Sequence, residues 1–236
     1  MNIGVTLSAS AVSEAEPDKV PVHQQVYEKL RMMILFGDLA PGQAVTIQGL
    51  VAELDAGMTP VREALRRLIA EGALNHQGNR RVSVPVLTAE GAQELGFMRK
   101  ALEPELTRRA ALRMEVTRLD ALRACDSALN AAISRGDVGG YLTQNYRFHA
   151  TLYEGADAPI MVETVNRLWL RFGPSLRVVC GRFGTSNLPD MHHDLIRALE
   201  NGDVAAAVQA MAGDVEQGMR QIEEALAEQP QTGVVN

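Results

Sequence analysis

Apolar residues in this chain recur mostly at three- and four-residue intervals, the spacing of one helix face. Val22, Val26, Leu30, Met33 and Ile34 form the first such stripe; Gly37 stops it and Pro41-Gly42 turns the chain. A short second helix is predicted from Ile47 to Leu54, with the Thr46 hydroxyl as N-cap. After a break at Asp55-Ala56-Gly57, Thr59 as N-cap and Pro60 as first helical residue open a third helix that runs to about Gly72. Its inner face is Val61, Leu65, Leu68 and Ile69. The pattern then shortens: Leu74-Asn75-His76 and Arg81-Val82-Ser83-Val84-Pro85 are extended runs flanking a turn at Gln77-Gly78-Asn79, which reads as a hairpin. Three helices followed by a hairpin make a winged helix-turn-helix.

Beyond Leu87 no further convincing strand is predicted. Helical segments fall at about 88–113, 117–134, 138–155, 159–181, 189–200 and 203–227. Pro104, inside the first of these, is expected to kink or split it, because proline removes one backbone donor and crowds the preceding turn. About six antiparallel-capable helices with short loops form a bundle. The expected fold is therefore mainly α: a winged helix-turn-helix domain at 21–87 with a small β-hairpin wing, then an all-α bundle at 88–228. Residues 1–20 and 229–236 are expected to be flexible tails.

Composition agrees with this picture. At 46% hydrophobic but only 4% aromatic, the chain can bury a core built from helix-favouring side chains. Its net charge of −6 argues against nucleic acid until its distribution is considered. Between Thr59 and Arg81 five arginines (62, 66, 67, 80 and 81) face two glutamates (63 and 71), a local +3 that leaves −9 elsewhere. A basic island on an acidic chain fits a small DNA-contacting module fused to an acidic partner domain. Cys125 and Cys180 have no paired spacing and read as buried, reduced thiols. With no signal peptide and no apolar run long enough for a bilayer, a cytoplasmic location is expected and no membrane partner.

A recognition helix must offer base-edge donors from its first turns. Arg62 lies in the first turn after Pro60, with Arg66 one turn on along the same stripe. The Thr59 hydroxyl and the free N–H groups of that helix start suit a phosphate, and Arg80 and Arg81 could reach an adjacent groove or the backbone.

At these residues the chain resembles a known family. Leu39-Ala40-Pro41-Gly42, Leu50-Val51-Ala52-Glu53-Leu54, the run from Thr59 to Leu68, and Glu71-Gly72 are similar to the N-terminal domain of GntR-family regulators. The resemblance implies that Arg62 reads DNA, with Thr59 and the wing around Gly78 assisting. The chain departs from the family at Gln48, where an arginine is usual, at Gly57, usually serine or threonine, and at Met58, often arginine. Each lost base contact typically costs roughly 1–3 kcal/mol, so the operator is expected to differ or dimerisation to carry more of the affinity.

The C-terminal part resembles the FCD-type helical domain of the FadR branch, in its shorter VanR-like version. The carriers are Arg99 with Leu102-Glu103-Pro104-Glu105, then Phe148-His149, then His192 with Ala198-Leu199 and Gly202-Asp203. That resemblance implies a divalent-metal site of one aspartate and three histidines. Mapped by motif, the positions here are Asn145, His149, His192 (His193 if the register shifts by one) and Asp214. Asn145 and His149 stand at i and i+4 and share a helix face. Two imidazoles, a carboxylate and a weak amide suit zinc, nickel or manganese-like ions. Arg99 occupies the place where the family commonly holds an effector carboxylate, which a guanidinium pairs in bidentate fashion; the alternative is a salt bridge with Glu103 at i+4. Trp169 and Phe172 read as core or domain-interface packing.

The functional expectation is a non-enzymatic, homodimeric, metabolite-responsive repressor on a palindromic DNA operator, with a small organic acid as effector. The alternative is a metal-dependent enzyme on a helical bundle. It lacks support, because no HExxH, ExxH or nucleophile motif is present and Asp214, His193 and Glu163 have no diagnostic spacing.

Overall fold

The computed structural model describes residues 20–77, 81–183 and 191–228. The expectations for Gly78 and Arg80, and for nearly all of both tails, therefore concern positions outside the described residues. The N-terminal unit runs α1 (Val22–Leu35), β1 (Ala44–Val45), α2 (Ile47–Leu54), α3 (Met58–Ala70), β2 (Asn75–Gln77) and β3 (Arg81–Ser83). The bundle behind it comprises α4 (Ala89–Ala111), α5 (Val116–Arg135), α6 (Val138–Glu154), α7 (Pro159–Phe183), α8 (Met191–Glu200) and α9 (Val204–Ala227).

Local chemistry accounts for most boundaries. The Thr46 hydroxyl accepts from Gly49 N at 3.0 Å and caps α2 as expected. Asp55 then turns the chain in the left-handed region (φ 48°), a conformation aspartate tolerates better than most residues. The third helix begins two residues earlier than predicted: Gly57 is its N-cap and Thr59 sits inside the first turn. Pro60 is tolerated there because first-turn N–H groups have no intrahelical acceptor. Val61, Ala64, Leu65 and Leu68 are the buried face of α3, while Ile69 is only partly buried and Val22 of α1 is exposed.

The wing gains a strand that sequence periodicity did not suggest. β3 lies between β1 and β2, antiparallel to both, pairing Val82 with Val45 on one side and with His76 on the other. A two-residue strand is too short to show alternation.

Pro104 does not split its helix; α4 continues through it to Ala111. Packing of α4 along α9, and against α6 and α7, holds the helix together through the proline and outweighs the lost backbone bond. Cys180 is buried and Cys125 only partly so, a correction to the expectation for the second thiol; both are free.

The two units meet where α1 crosses α7. Gly173 of α7 is buried there, and a Cβ added to it would stand 2.3 Å from the Leu35 carbonyl oxygen. Arg177 Nη1 donates to the Phe36 carbonyl at 3.1 Å, and Arg31 Nη2 donates to Tyr146 Oη at 3.0 Å. Gly173→Val is accordingly expected to force α1 off α7. A loss of about 3 kcal/mol, the upper end for overpacking, lowers the melting temperature by roughly 6–12 °C. Calorimetry, with faster amide exchange at the end of α1, checks this.

Candidate functional site

Two regions concentrate functional chemistry. The first is an open groove of about 760 Å³ between the start of α2, the outer face of α3 and the wing. Gln48, Arg62, Arg66, His76 and Arg81 all line it, over a floor that includes Leu65 and Val82. Thr59 and Met58 are exposed on the first turn of α3 and do not line this groove. His76 is a residue that sequence reasoning missed; its place opposite Val82 in β2 aims it at the groove.

Arg67 belongs elsewhere. Its guanidinium lies 3.6 Å from the centre of the Tyr27 ring, and its Nε donates to Glu71 at 3.0 Å. Tyr27 Oη donates to the same carboxylate at 2.9 Å. One charge of the basic island is thus an internal tie between α1 and α3, not part of the groove.

The second region is a cavity of about 120 Å³ inside the bundle, large enough for an ion and a small molecule but not a long chain. His149 from α6, His192 from α8 and Asp214 from α9 converge on it, each offering a ligand atom within 4.8 Å of the others. His149 Nε2 is 3.2 Å from one Asp214 oxygen and His192 Nε2 is 3.7 Å from the other. Two ligands of a tetrahedral ion with bonds of about 2.1 Å stand about 3.4 Å apart, between these values. Asn145, one turn before His149, is buried and lines the same cavity. His193 is on the exposed side of α8, whereas His192 is buried, so the register favours His192.

The donor set fits a divalent ion on electrostatic grounds too. Burial alone would push the Asp214 carboxyl up, but the His149 contact and the charges of His149, His192 and Arg99 outweigh it and hold the group at about 2. Asp214 is therefore a carboxylate at any physiological pH. His149 Nε2, although close to Asp214, is not aligned for a hydrogen bond and has no partner. The buried indole N–H of Trp169 is likewise without an acceptor, and Trp169 also lines the cavity. Buried polar atoms left unsatisfied are rare and costly, and their clustering here marks a place for a polar occupant.

Arg99 also lines the cavity, but it is committed. Its Nε and Nη2 donate to the two oxygens of Glu103 at 2.5 and 3.1 Å, a pair on α4 in which both side chains are almost fully buried. The predicted i, i+4 salt bridge thus forms, inside the protein rather than on its surface. The guanidinium is flanked by Phe172, 4.1 Å from its ring centre, and by Trp169 at 5.0 Å. Both aromatics were expected to be packing alone; they pack, and they also form cavity wall. Trp169 meets the His149 ring at a tilt and the Tyr146 ring edgewise, and Tyr146 touches Phe36 and Arg31 of the N-terminal unit.

Comparison with known proteins follows the same division. Residues 22–84 match the model for bacterial regulatory proteins of the gntR family, and residues 94–217 match the FCD domain. The chain is 27% identical over 198 residues to the HTH-type transcriptional regulator McbR of Escherichia coli (strain K12), covering 83% of this chain and 90% of that protein. It is 26% identical over 209 residues to the HTH-type transcriptional repressor RspR of the same strain, covering 86% and 90%. The solved structure of E. coli McbR/YncC superimposes with a TM-score of 0.82 at 26% identity, over 88% of this chain and 99% of that one. These relatives are transcription regulators, which sets aside the enzyme alternative. Among the described residues no helix is long and apolar enough to cross a membrane. The chain belongs to the gntR family of bacterial transcription regulators and carries an FCD effector-binding domain behind its helix-turn-helix.

Proposed function

We propose that this regulator is a cytoplasmic, homodimeric repressor that binds a palindromic operator through the groove formed by Gln48, Arg62, Arg66, His76 and Arg81. The Thr59 hydroxyl and the N–H groups of the α3 start serve phosphate, and Met58, Gly78 and Arg80 complete the contact surface. Arg62 is the principal base reader, because a guanidinium fork matches guanine O6 and N7. Its effector is a small carboxylate bound in the bundle cavity with a divalent ion held by His149, His192 and Asp214, and Asn145 as the weaker fourth ligand. The observation that carries this reading is the cluster of unpartnered buried polar atoms around the cavity.

Signal transfer follows from α7. Trp169, Phe172 and Leu176 face the cavity, while Gly173 and Arg177 of the same helix hold α1. A ligand that shifts the cavity wall therefore shifts the seat of the DNA-binding unit. Such a ligand biases DNA binding only by its differential affinity for the two arrangements.

A thermal-shift screen of small organic acids, each with zinc and with chelator, tests the sensing half. A ligand that binds the native state alone at a hundred times its dissociation constant stabilises by about 2.7 kcal/mol, or roughly 5–11 °C here. No shift from any metal or acid would remove the sensing reading and leave the DNA-binding one intact.

A further inference from the structure

Behind the ligand atoms stands a set of groups that do not touch the cavity's centre. His149 Nδ1 is 2.9 Å from Tyr153 Oη, and Tyr153 Oη donates to Glu103 Oε2 at 2.5 Å. Glu103 is held by the fork of Arg99. A phenol carries one proton. With that proton directed to Glu103, Tyr153 can only accept from His149, so Nδ1 carries the imidazole hydrogen. In the neutral ring His149 Nε2 then presents a lone pair into the cavity beside Asp214, at an atom with no hydrogen-bond partner.

His192 is arranged in parallel. Its Nδ1 faces Asp126 Oδ1 at 3.6 Å, just beyond hydrogen-bond length, and that buried oxygen has no other partner. Stacking on Phe148, with centroids 3.9 Å apart, fixes the ring plane. A movement of a few tenths of an ångström, on the order of the gap to a normal N–H···O bond, closes the contact.

We propose that Tyr153 and Asp126 are positioning residues for the metal: each fixes one imidazole with Nε2 toward the ion, and neither is a ligand. The proposal rests on the metal reading of the cavity. It also gives Arg99 a second role, as the far end of the chain Arg99–Glu103–Tyr153–His149. Two of its N–H groups serve Glu103, leaving the rest of the fork for an anion in the cavity that Arg99 lines. Metal and anionic ligand are thereby joined through one hydrogen-bonded chain.

The test is zinc affinity of the metal-stripped full chain, by competition with a chromophoric chelator, for the parent, Tyr153→Phe and Asp126→Asn. Loss of an outer-sphere partner of this kind typically weakens metal binding about 10- to 100-fold. That drop, in metal-free variants that still show a cooperative melt, is the expected result; Tyr153→Phe should also melt somewhat lower, because it leaves buried partners unpaired. Nitrogen-15 NMR of the histidine rings in the metal-free parent needs no variant, and should report His149 protonated at Nδ1. Parent-like zinc affinity in both variants, or a His149 protonated at Nε2, overturns the proposal while sparing the metal site. A parent that binds neither zinc, nickel nor manganese overturns both.

Discussion

Arg62→Ala is expected to weaken binding to a duplex from the chain's own upstream region by about 5- to 150-fold, the equivalent of one bidentate base contact at 1–3 kcal/mol. The residue is exposed in the first turns of α3 and lines the groove, with no internal partner among the described residues to compensate for. Arg66→Ala, one turn deeper, should cost less and act across sequences alike, lowering the salt dependence by about one phosphate contact. Arg67→Ala is the informative contrast. Its charge is tied to Glu71 and the Tyr27 ring, so it should leave DNA affinity nearly unchanged and lower stability instead. Fluorescence anisotropy at two salt concentrations, beside a thermal melt, separates the three outcomes. Equal loss of affinity for Arg62→Ala and Arg67→Ala would mean that the groove is not the contact surface.

The second large effect is expected at the metal ligands. Asp214→Ala should raise the zinc dissociation constant more than 100-fold, since it removes the only carboxylate of the set; losing a ligand exceeds the roughly 10- to 100-fold effect of losing a supporting partner. Asp214 is held at about 2, so above about pH 4 its own protonation does not limit binding. His149→Ala should act as strongly, and His193→Ala should do nothing to zinc affinity, because His193 lies on the exposed side of α8. Isothermal titration of the metal-stripped proteins measures all three. Zinc bound equally well by Asp214→Ala would place the ion elsewhere.

Much of this architecture is legible in the chain, and the failures have physical causes. Helices with long apolar stripes and good caps, such as α2 behind Thr46 or α9 behind Asp203, carry their own boundaries. The strand β1 could not be seen because its two residues are defined by a partner some forty positions away. Pro104 does not end its helix as a split would require, because the cost of one proline is small beside the packing of α4 on α9. In the cavity, the fold brings three of the four motif positions, His149, His192 and Asp214, within 4.8 Å of one another. Tyr153 stands four residues after His149 and shares its helix face, so that pair was open to the same reading as Asn145 and His149. Nothing in the spacing of Glu103 and Asp126, on two other helices, says that they will reach Tyr153 and His192. The same holds for His76, which gains meaning only when the wing folds toward α3. Arg67 shows the opposite error: a charge counted toward the basic island is paired with Glu71 and Tyr27 and does not line the groove.

The proposed regulation stands or falls on specific DNA recognition through α3 and the wing. The most direct measurement is the affinity of the purified full chain for a duplex from its own upstream region against a scrambled duplex of equal length, at physiological salt. Sequence-specific regulators typically prefer their site by about 10³-fold or more over non-specific DNA. A ratio of that order, collapsing in Arg62→Ala, is the predicted result; equal affinity for the two duplexes would contradict it.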